Sequence, residues 1–519
     1  MKQYAALILM ACAFSAAGCV PPQQSSKPIR LAVVVSFDQF RGDMPVSLRS
    51  AFGEEGFARF SREGTVYSQC YYNQANMMTG PGHAVLLTGE YPNATGITTN
   101  DLCDRALGTC MYCAADTAGV QGAFPLLGTT VGDDLLERDS ASKVIGIANK
   151  DRAAILMAGK NPTAAVWVDS ETGMFTTSSA YATPSWFESI ASKHALAPYV
   201  GTTWEAELDS AAAGRIDDAP WEGTFSDGSR TFPHRLATLE DAALSPAGMA
   251  MVFDAAIDVI DAEQLGADAS PDVLAIGVST TDYLGHEFGP DSREVQELFR
   301  HADRQMARLI HHLDSAVGRE HYVLYVTSDH GIAPVPELLN ANVRPDEPRI
   351  DAGRVDAKVL RATVEQSLTD AFGAPSAGRS WIWNLYPPSV YLDDTTLQQQ
   401  GIARDSAAVV AARALASAPG IGVSIPGKLV AQDLRPESID AATWTMIRNA
   451  YHPDRSGDVL IYPKRYWVYG SRATTHGTPH DYDRWVPLMV LGPRRTPLQV
   501  ADTVEPTLIA KQLRLAWGL

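Results

Sequence analysis

Leu31 to Phe37 reads LAVVVSF, a continuous apolar run that ends on Asp38. A strand this uniformly apolar has no solvent face, so it belongs in a parallel sheet covered on both sides. Val144–Ala148, Val273–Val278, Tyr322–Thr327 and Val486–Leu491 share that character. Helical patterns lie between them. The clearest begins near Asp291, with Glu294 placed as a capping-box partner. Val295, Leu298, Phe299, Ala302, Met306, Leu309, Ile310 and Leu313 then recur on one face, while His301, His311 and His312 fall mostly on the polar side as solvated residues. The alternation predicts an α/β fold: a doubly wound, mostly parallel central sheet with helices on both faces.

Two long segments interrupt the alternation and are expected to be inserted cap or subdomain pieces. One, about 159–235, mixes Pro and Gly with Trp167, Trp186, Trp204 and Trp221, and should fold over the site. The other, about 346–451, holds a strand-like run, Trp381–Leu392, and an Ala-rich helix near 406–418. A chain of 519 residues is past the size at which one core stops growing, which accords with a catalytic domain carrying insertions.

The N-terminus has a different character. Lys2 precedes an apolar stretch, Ala5–Ala17, that is too short to span a membrane and has the layout of an export signal. Residues 1–18 are read as a signal peptide, 19–29 as a Pro/Ser-rich tether, and 30–519 as the catalytic domain. Ala16-Ala17-Gly18-Cys19 resembles a lipoprotein cleavage box, although Leu is usual where Ala16 stands. Cys19 is therefore a candidate lipid-anchor site, and the expected location is the periplasm or the bacterial outer membrane. Cys70, Cys103, Cys110 and Cys113 remain, an even number that in an exported protein favours two disulfides, with three connectivities open. Cys110/Cys113 lacks the second CxxC that a zinc ribbon needs. The net charge of −18 argues against a nucleic-acid partner, whose phosphates demand clustered Lys and Arg. An anionic substrate must then be drawn in by a local positive centre such as bound metal. A monomer is expected.

Candidate ligands supply that centre. Asp38, Thr79, Asp282, His286, Asp329, His330 and His476 are far apart in the chain, yet each follows an apolar run or sits in a Gly-rich turn. Parallel strands carry such residues to one carboxyl edge, where open α/β sheets place their sites. Seven oxygen and nitrogen donors suffice for two tetrahedral zinc sites, with the Thr79 hydroxyl completing one. Thr79 lies in Met77-Met-Thr-Gly-Pro-Gly-His83, followed by the apolar run Ala84–Thr88, so it should open a helix, where free N–H groups favour phosphate. A plain helix cap is the bland alternative. Asp282 and His286 are four apart and share one face of a helical turn. Asp329-His330 is followed by Gly331, which permits an irregular turn, and His476 has a rival in His480. A threonine hydroxyl is a poor nucleophile until deprotonated, and metal coordination achieves that.

The ordered set Asp38, Thr79-Gly-Pro-Gly-His83, Asp282-Tyr-Leu-Gly-His286, Ser328-Asp-His-Gly331 and His476-Gly477 resembles the alkaline phosphatase superfamily. It looks closest to the bacterial alkaline phosphatases that use threonine, which are similar in turn to nucleotide pyrophosphatase/phosphodiesterases. The resemblance implies an alkaline-phosphatase-like fold and two zinc ions per chain. One would be held by Asp282, His286 and His476, in preference to His480; the other by Asp38, Thr79, Asp329 and His330. It also implies that Asn100, Lys150 and Arg152 contact the phosphoryl oxygens, and that His83 supports the site by hydrogen bonding. The related diesterases put apolar surface where Lys150 and Arg152 stand. A monoester carries two negative charges, and a point charge plus a planar fork suits them. In an extended segment residues two apart point the same way, so Lys150 and Arg152 are both expected to reach one phosphate.

The expected function is an exported alkaline phosphomonoesterase that acts on small phosphorylated substrates through a phospho-threonine and releases inorganic phosphate. A phosphodiesterase or nucleotide pyrophosphatase on the same fold is the alternative. A sulfatase would need a Cys/Ser-x-Pro-x-Arg motif at the nucleophile, which is absent, and an inactive binding protein would have a broken ligand set, which this is not.

Overall fold

The computed structural model describes residues 28–208, 215, 217–341, 343, 347–493 and 497–519. The expected signal peptide, Cys19 and most of the tether lie outside the described residues.

A nine-stranded sheet forms the centre, in the order Leu498–Val500, Thr65–Tyr71, Trp485–Leu491, Tyr322–Thr327, Leu31–Phe37, Asp272–Val278, Val144–Ala148, Ala164–Val168, Phe175–Thr176. The five strands from Tyr322–Thr327 to Ala164–Val168 are mutually parallel. Along Leu31–Phe37, residues 31, 33, 35 and 37 enter one core, and Ala32 and Val34 enter another. Burial on both faces is why the run shows no alternation. The helices Pro246–Glu263 and Arg293–Leu313 supply the first core; Thr79–Thr88, Asp151–Ala158 and Leu508–Trp517 supply the second.

Three expectations are corrected. Trp485–Leu491 looks like its parallel neighbours in sequence but runs antiparallel to Tyr322–Thr327 and to Thr65–Tyr71. The chain enters this strand from the carboxyl edge, where Gly331 N donates to Asp483 O at 2.7 Å, so it has to run back the other way. Glu294 is no capping-box partner. The helix starts at Arg293, Ser292 caps it through Val295 N at 3.2 Å, and the buried Glu294 carboxyl turns aside to His234, 3.1 Å away. Of the four cysteines, one disulfide forms, Cys103–Cys110, while Cys70 and Cys113 are free and buried. Cys103 and Cys110 are cross-strand partners in the hairpin Asp101–Asp104/Thr109–Tyr112. Cys70 belongs to a central-sheet strand, and burial pushes both free thiols up.

The segment expected as an insertion from 159 begins with two strands that extend the sheet, Ala164–Val168 and Phe175–Thr176, before the chain crosses to the helix Leu239–Leu244. The later segment, together with Val459–Pro463 beyond its expected end at about 451, builds a four-stranded antiparallel sheet with its own core, in the order Ile382–Tyr386, Ser389–Leu392, Val459–Pro463, Ile421–Pro426. Its first two strands divide the run Trp381–Leu392 at Pro387-Pro388. Among the described residues no helix is long and apolar enough to cross a membrane.

Candidate active site

Four adjacent parallel strands, Tyr322–Thr327, Leu31–Phe37, Asp272–Val278 and Val144–Ala148, end at one edge of the sheet. Directly beyond them come Asp329-His330, Asp38, the helix Thr280–Phe288 bearing Asp282 and His286, and Asn149-Lys150. Open parallel sheets gather residues in this way because every strand delivers its next residue to the same side. The helix Thr79–Thr88 opens at this edge with Thr79 as its first residue and Met78 as the cap, so Thr79 is not a mere capping side chain. Its Gly-Pro-Gly spacing answers to close approach. A Cβ at Gly82 would lie 2.2 Å from Asp329 O, and one at Gly80 would lie 2.7 Å from the Cys113 sulfur.

Two clusters of donors result. Asp282 Oδ1 lies 3.3 Å from His286 Nε2 and 3.5 Å from His476 Nε2. His330 Nε2 lies 3.1 Å from Asp329 Oδ2 and 3.5 Å from Thr79 Oγ1. The His330 and His476 rings stack with centroids 3.5 Å apart, which brings the clusters side by side. His480 is directed elsewhere, to Pro463 O at 3.0 Å. His83 fits between the carboxylates: its Nδ1 meets Thr79 O at 2.9 Å and Asp329 Oδ2 at 3.3 Å, and its Nε2 faces Asp38 Oδ1 at 3.4 Å.

These donors suit divalent metal. Each Nδ1 of His286, His476 and His330 pairs with a backbone carbonyl, Thr474 O at 2.9 Å, Met77 O at 2.7 Å and Gly331 O at 2.9 Å. That fixes the tautomer and leaves each Nε2 lone pair facing the carboxylates. Asp38 Oδ1 and Asp329 Oδ2 are buried and accept no well-aligned hydrogen bond; they are met by the imidazoles of His83 and, for Asp329, His330, and against burial these two carboxylates raise His83 to about 10, which marks the spot as one that favours a cation. Asp282, His286 and His476 bring ligand atoms within 4.8 Å of one another, as do Asp38, His83 and Asp329. Burial alone would favour neutral acids, yet Lys150 and His286 around Asp282, and His330 and His83 around Asp329, hold both carboxyls well below the usual range. Burial, aided by neighbouring His330, lowers His476 to about 4, so its imidazole is neutral, as a ligand must be.

Beside the clusters stand the cationic groups. Lys150 Nζ donates to Asp38 Oδ2 at 3.0 Å and also to Asp282 Oδ2, and sits 5.0 Å above the Tyr283 ring. Burial opposes its charge, but Asp282 and Asp38 overcome that and raise its pKa. The segment is not extended throughout: Lys150 is, as the N-cap of the helix Asp151–Ala158, but Arg152 lies in the helix's first turn. The two side chains reach the same edge because a strand leads straight into a helix there. Asn100 Oδ1 accepts from Gly80 N at 2.8 Å, which leaves the amide NH2 to act as a donor.

Some contributors carry no sequence signal. Tyr112, on the disulfide-closed hairpin, accepts from Arg152 Nη1 at 3.0 Å and donates to Asp151 Oδ1 at 2.6 Å, bracing the guanidinium. Gln39 holds Asp282 Oδ1 through its amide, from a backbone at φ 65°. Asn149 is structural, binding Gly248 O at 2.9 Å and Ser279 N at 2.8 Å.

Residues 32–483 match the family model for type I phosphodiesterase/nucleotide pyrophosphatase. Alkaline phosphatase PafA of Elizabethkingia meningoseptica is 30% identical over 488 residues, covering 89% of this chain and 87% of that protein. A Myroides odoratus protein named calcium-transporting ATPase is 29% identical, over 98% of this chain and 96% of its own. The crystal structure of wild-type PafA superposes with a TM-score of 0.86 at 28% identity, over 94% of this chain and 96% of that one.

Proposed function

We propose that this chain, which belongs to the type I phosphodiesterase/nucleotide pyrophosphatase family, is an exported alkaline phosphomonoesterase that works through a phospho-threonine on Thr79. The observation that carries the reading is the meeting of Thr79, two Asp/His clusters and the Lys150/Arg152 pair at one sheet edge. The similarity to the alkaline phosphatase PafA supports it. The family model also covers diesterases, and that alternative rests on it alone. Residues 1–18 would be the export signal and 19–29 the tether, with Cys19 the candidate anchor.

Asp282, His286 and His476 would hold one zinc ion, and Asp38, Asp329, His330 and the Thr79 hydroxyl the other. When bound, such ions neutralise developing charge and lower the pKa of the oxygen ligands they hold. Thr79 Oγ attacks phosphorus in line with the leaving oxygen, forming one P–O bond as the ester P–O bond breaks. The Asn100 amide, Lys150 and Arg152 hold the non-bridging oxygens and their charge through this step. The alcohol departs, and water then cleaves the phospho-threonine to release inorganic phosphate and restore Thr79. His83 keeps Asp38 and Asp329 apart and oriented.

Acid-quenched turnover of an aryl phosphate, followed by peptide mass spectrometry, tests this. Phosphate is expected on the Thr79 peptide and none in Thr79→Ala. Full turnover by Thr79→Ala would sink the reading.

A further inference from the structure

The phosphoryl end of the site opens into a cavity of about 520 Å³, bounded at one side by Lys150, Arg152, Asp282 and His286. That is far more room than a phosphoryl group fills, and it lies in the size range of pockets that bind whole small molecules. Beside these residues, Val168, Leu196, Leu239, Ala243 and Leu244 line the cavity as an aliphatic wall, and Tyr283, whose ring lies under Lys150, lines it too. Of the polar groups there, Glu287 and Arg472 face each other at 3.4 Å and the Asn149 amide is taken by Gly248 O and Ser279 N, which leaves Glu240, Ser170 and the Tyr283 hydroxyl.

The wall is built rather than incidental. Leu239, Ala243 and Leu244 come from the helix Leu239–Leu244, whose start is fixed by a capping box between Thr238 and Asp241. The buried Asp241 carboxylate also accepts from Ser226 N at 2.9 Å and Ala237 N at 2.9 Å, tying the helix to the loop before it. Val168 ends the strand Ala164–Val168, so part of the wall continues the central sheet. A polyol in this space would lose water from several hydroxyls and find few partners. A hydrocarbon body would lose only its contact with water, which is favourable.

We propose that this cavity is the leaving-group subsite, and that it selects phosphate monoesters of apolar alcohols, alkyl or aryl, over those of sugars and polyols. The proposal rests on the monoesterase reading of the same site.

Unbranched alkyl phosphates test it, because leaving-group acidity hardly changes from ethyl to hexyl while apolar surface grows. A fully buried methylene is worth up to about fourfold, so partial burial of four predicts a hexyl-to-ethyl ratio in kcat/KM of about ten or more. Leu239→Asn and Val168→Thr, both at half-buried positions, should each bring that ratio down severalfold. Glycerol phosphate and a nucleoside monophosphate should fall below hexyl phosphate. A ratio near one in the unmodified protein overturns the proposal, as does an unchanged ratio in both variants or a preference for the polyol or nucleotide ester. If no alkyl phosphate is turned over at all, the monoesterase reading itself fails, which is a different result from equal turnover of the ethyl and hexyl esters.

Discussion

Replacing Arg152 with Ala separates monoester from diester chemistry. In the structure its Nη1 is committed to the Tyr112 hydroxyl at 3.0 Å, whereas its Nε is buried with no hydrogen-bond partner. The guanidinium is thus braced on one side and has Nε and Nη2 left for two phosphoryl oxygens. Hydrogen bonds to charged groups contribute ~1.5–3 kcal/mol each, so two amount to ~3–6 kcal/mol. That corresponds to a loss of roughly 10²–10⁴ in kcat/KM for a dianionic monoester. A diester has one charge fewer and should lose about tenfold. The assay compares phenyl phosphate with methyl phenyl phosphate, which share a leaving group, in the native protein and in Arg152→Ala. Equal losses on the two substrates would refute the idea that Arg152 reads the second charge.

Tyr112→Phe removes the brace without touching substrate; we expect about a tenfold loss on the monoester, roughly one hydrogen bond's worth, with phosphate inhibition weakened in parallel. An unchanged inhibition constant would show the brace to be idle. Burial, with Asp217 nearby, raises Glu294 to about 8, while burial lowers its partner His234 to about 4, so at neutral pH the pair is uncharged. The folded protein then holds a proton on Glu294 that the unfolded chain has lost. The resulting stability is full below about pH 4.5 and fades as pH rises through about 8. Glu294→Gln should flatten the dependence of Tm on pH between 6 and about 9; a parallel decline in both proteins would contradict this. Chelation should abolish activity and lower Tm, with zinc restoring both; indifference of Tm and turnover to chelator would contradict the metal assignment.

Much of this site is legible in the chain because its chemistry is carried at strand ends. Uniformly apolar runs such as Leu31–Phe37 announce doubly covered strands, and the residue after each is placed at the carboxyl edge. The spacing of Asp282 and His286 similarly anticipates the helix Thr280–Phe288. Direction is less legible: Trp485–Leu491 is as apolar as its neighbours, and only the site of chain entry makes it antiparallel. The helix at Arg152 had a signal, an acidic residue in the first turn followed by Ala153–Ala158, which a reading of Lys150 and Arg152 as extended passes over. Glu294 shows the opposite problem, since a carboxylate that caps and one that pairs with a distant histidine look alike in sequence. Tyr112 and Gln39 act through contacts between segments far apart in the chain, and no local pattern marks them.

The positions of the bound metal ions decide whether Thr79 is the activated nucleophile. Crystals grown with zinc, measured on both sides of the zinc absorption edge, should give two anomalous peaks beside Thr79. One should be ligated by Asp282, His286 and His476, the other by Asp38, Asp329 and His330. A single peak, or zinc seated away from the Thr79 hydroxyl, would contradict the account.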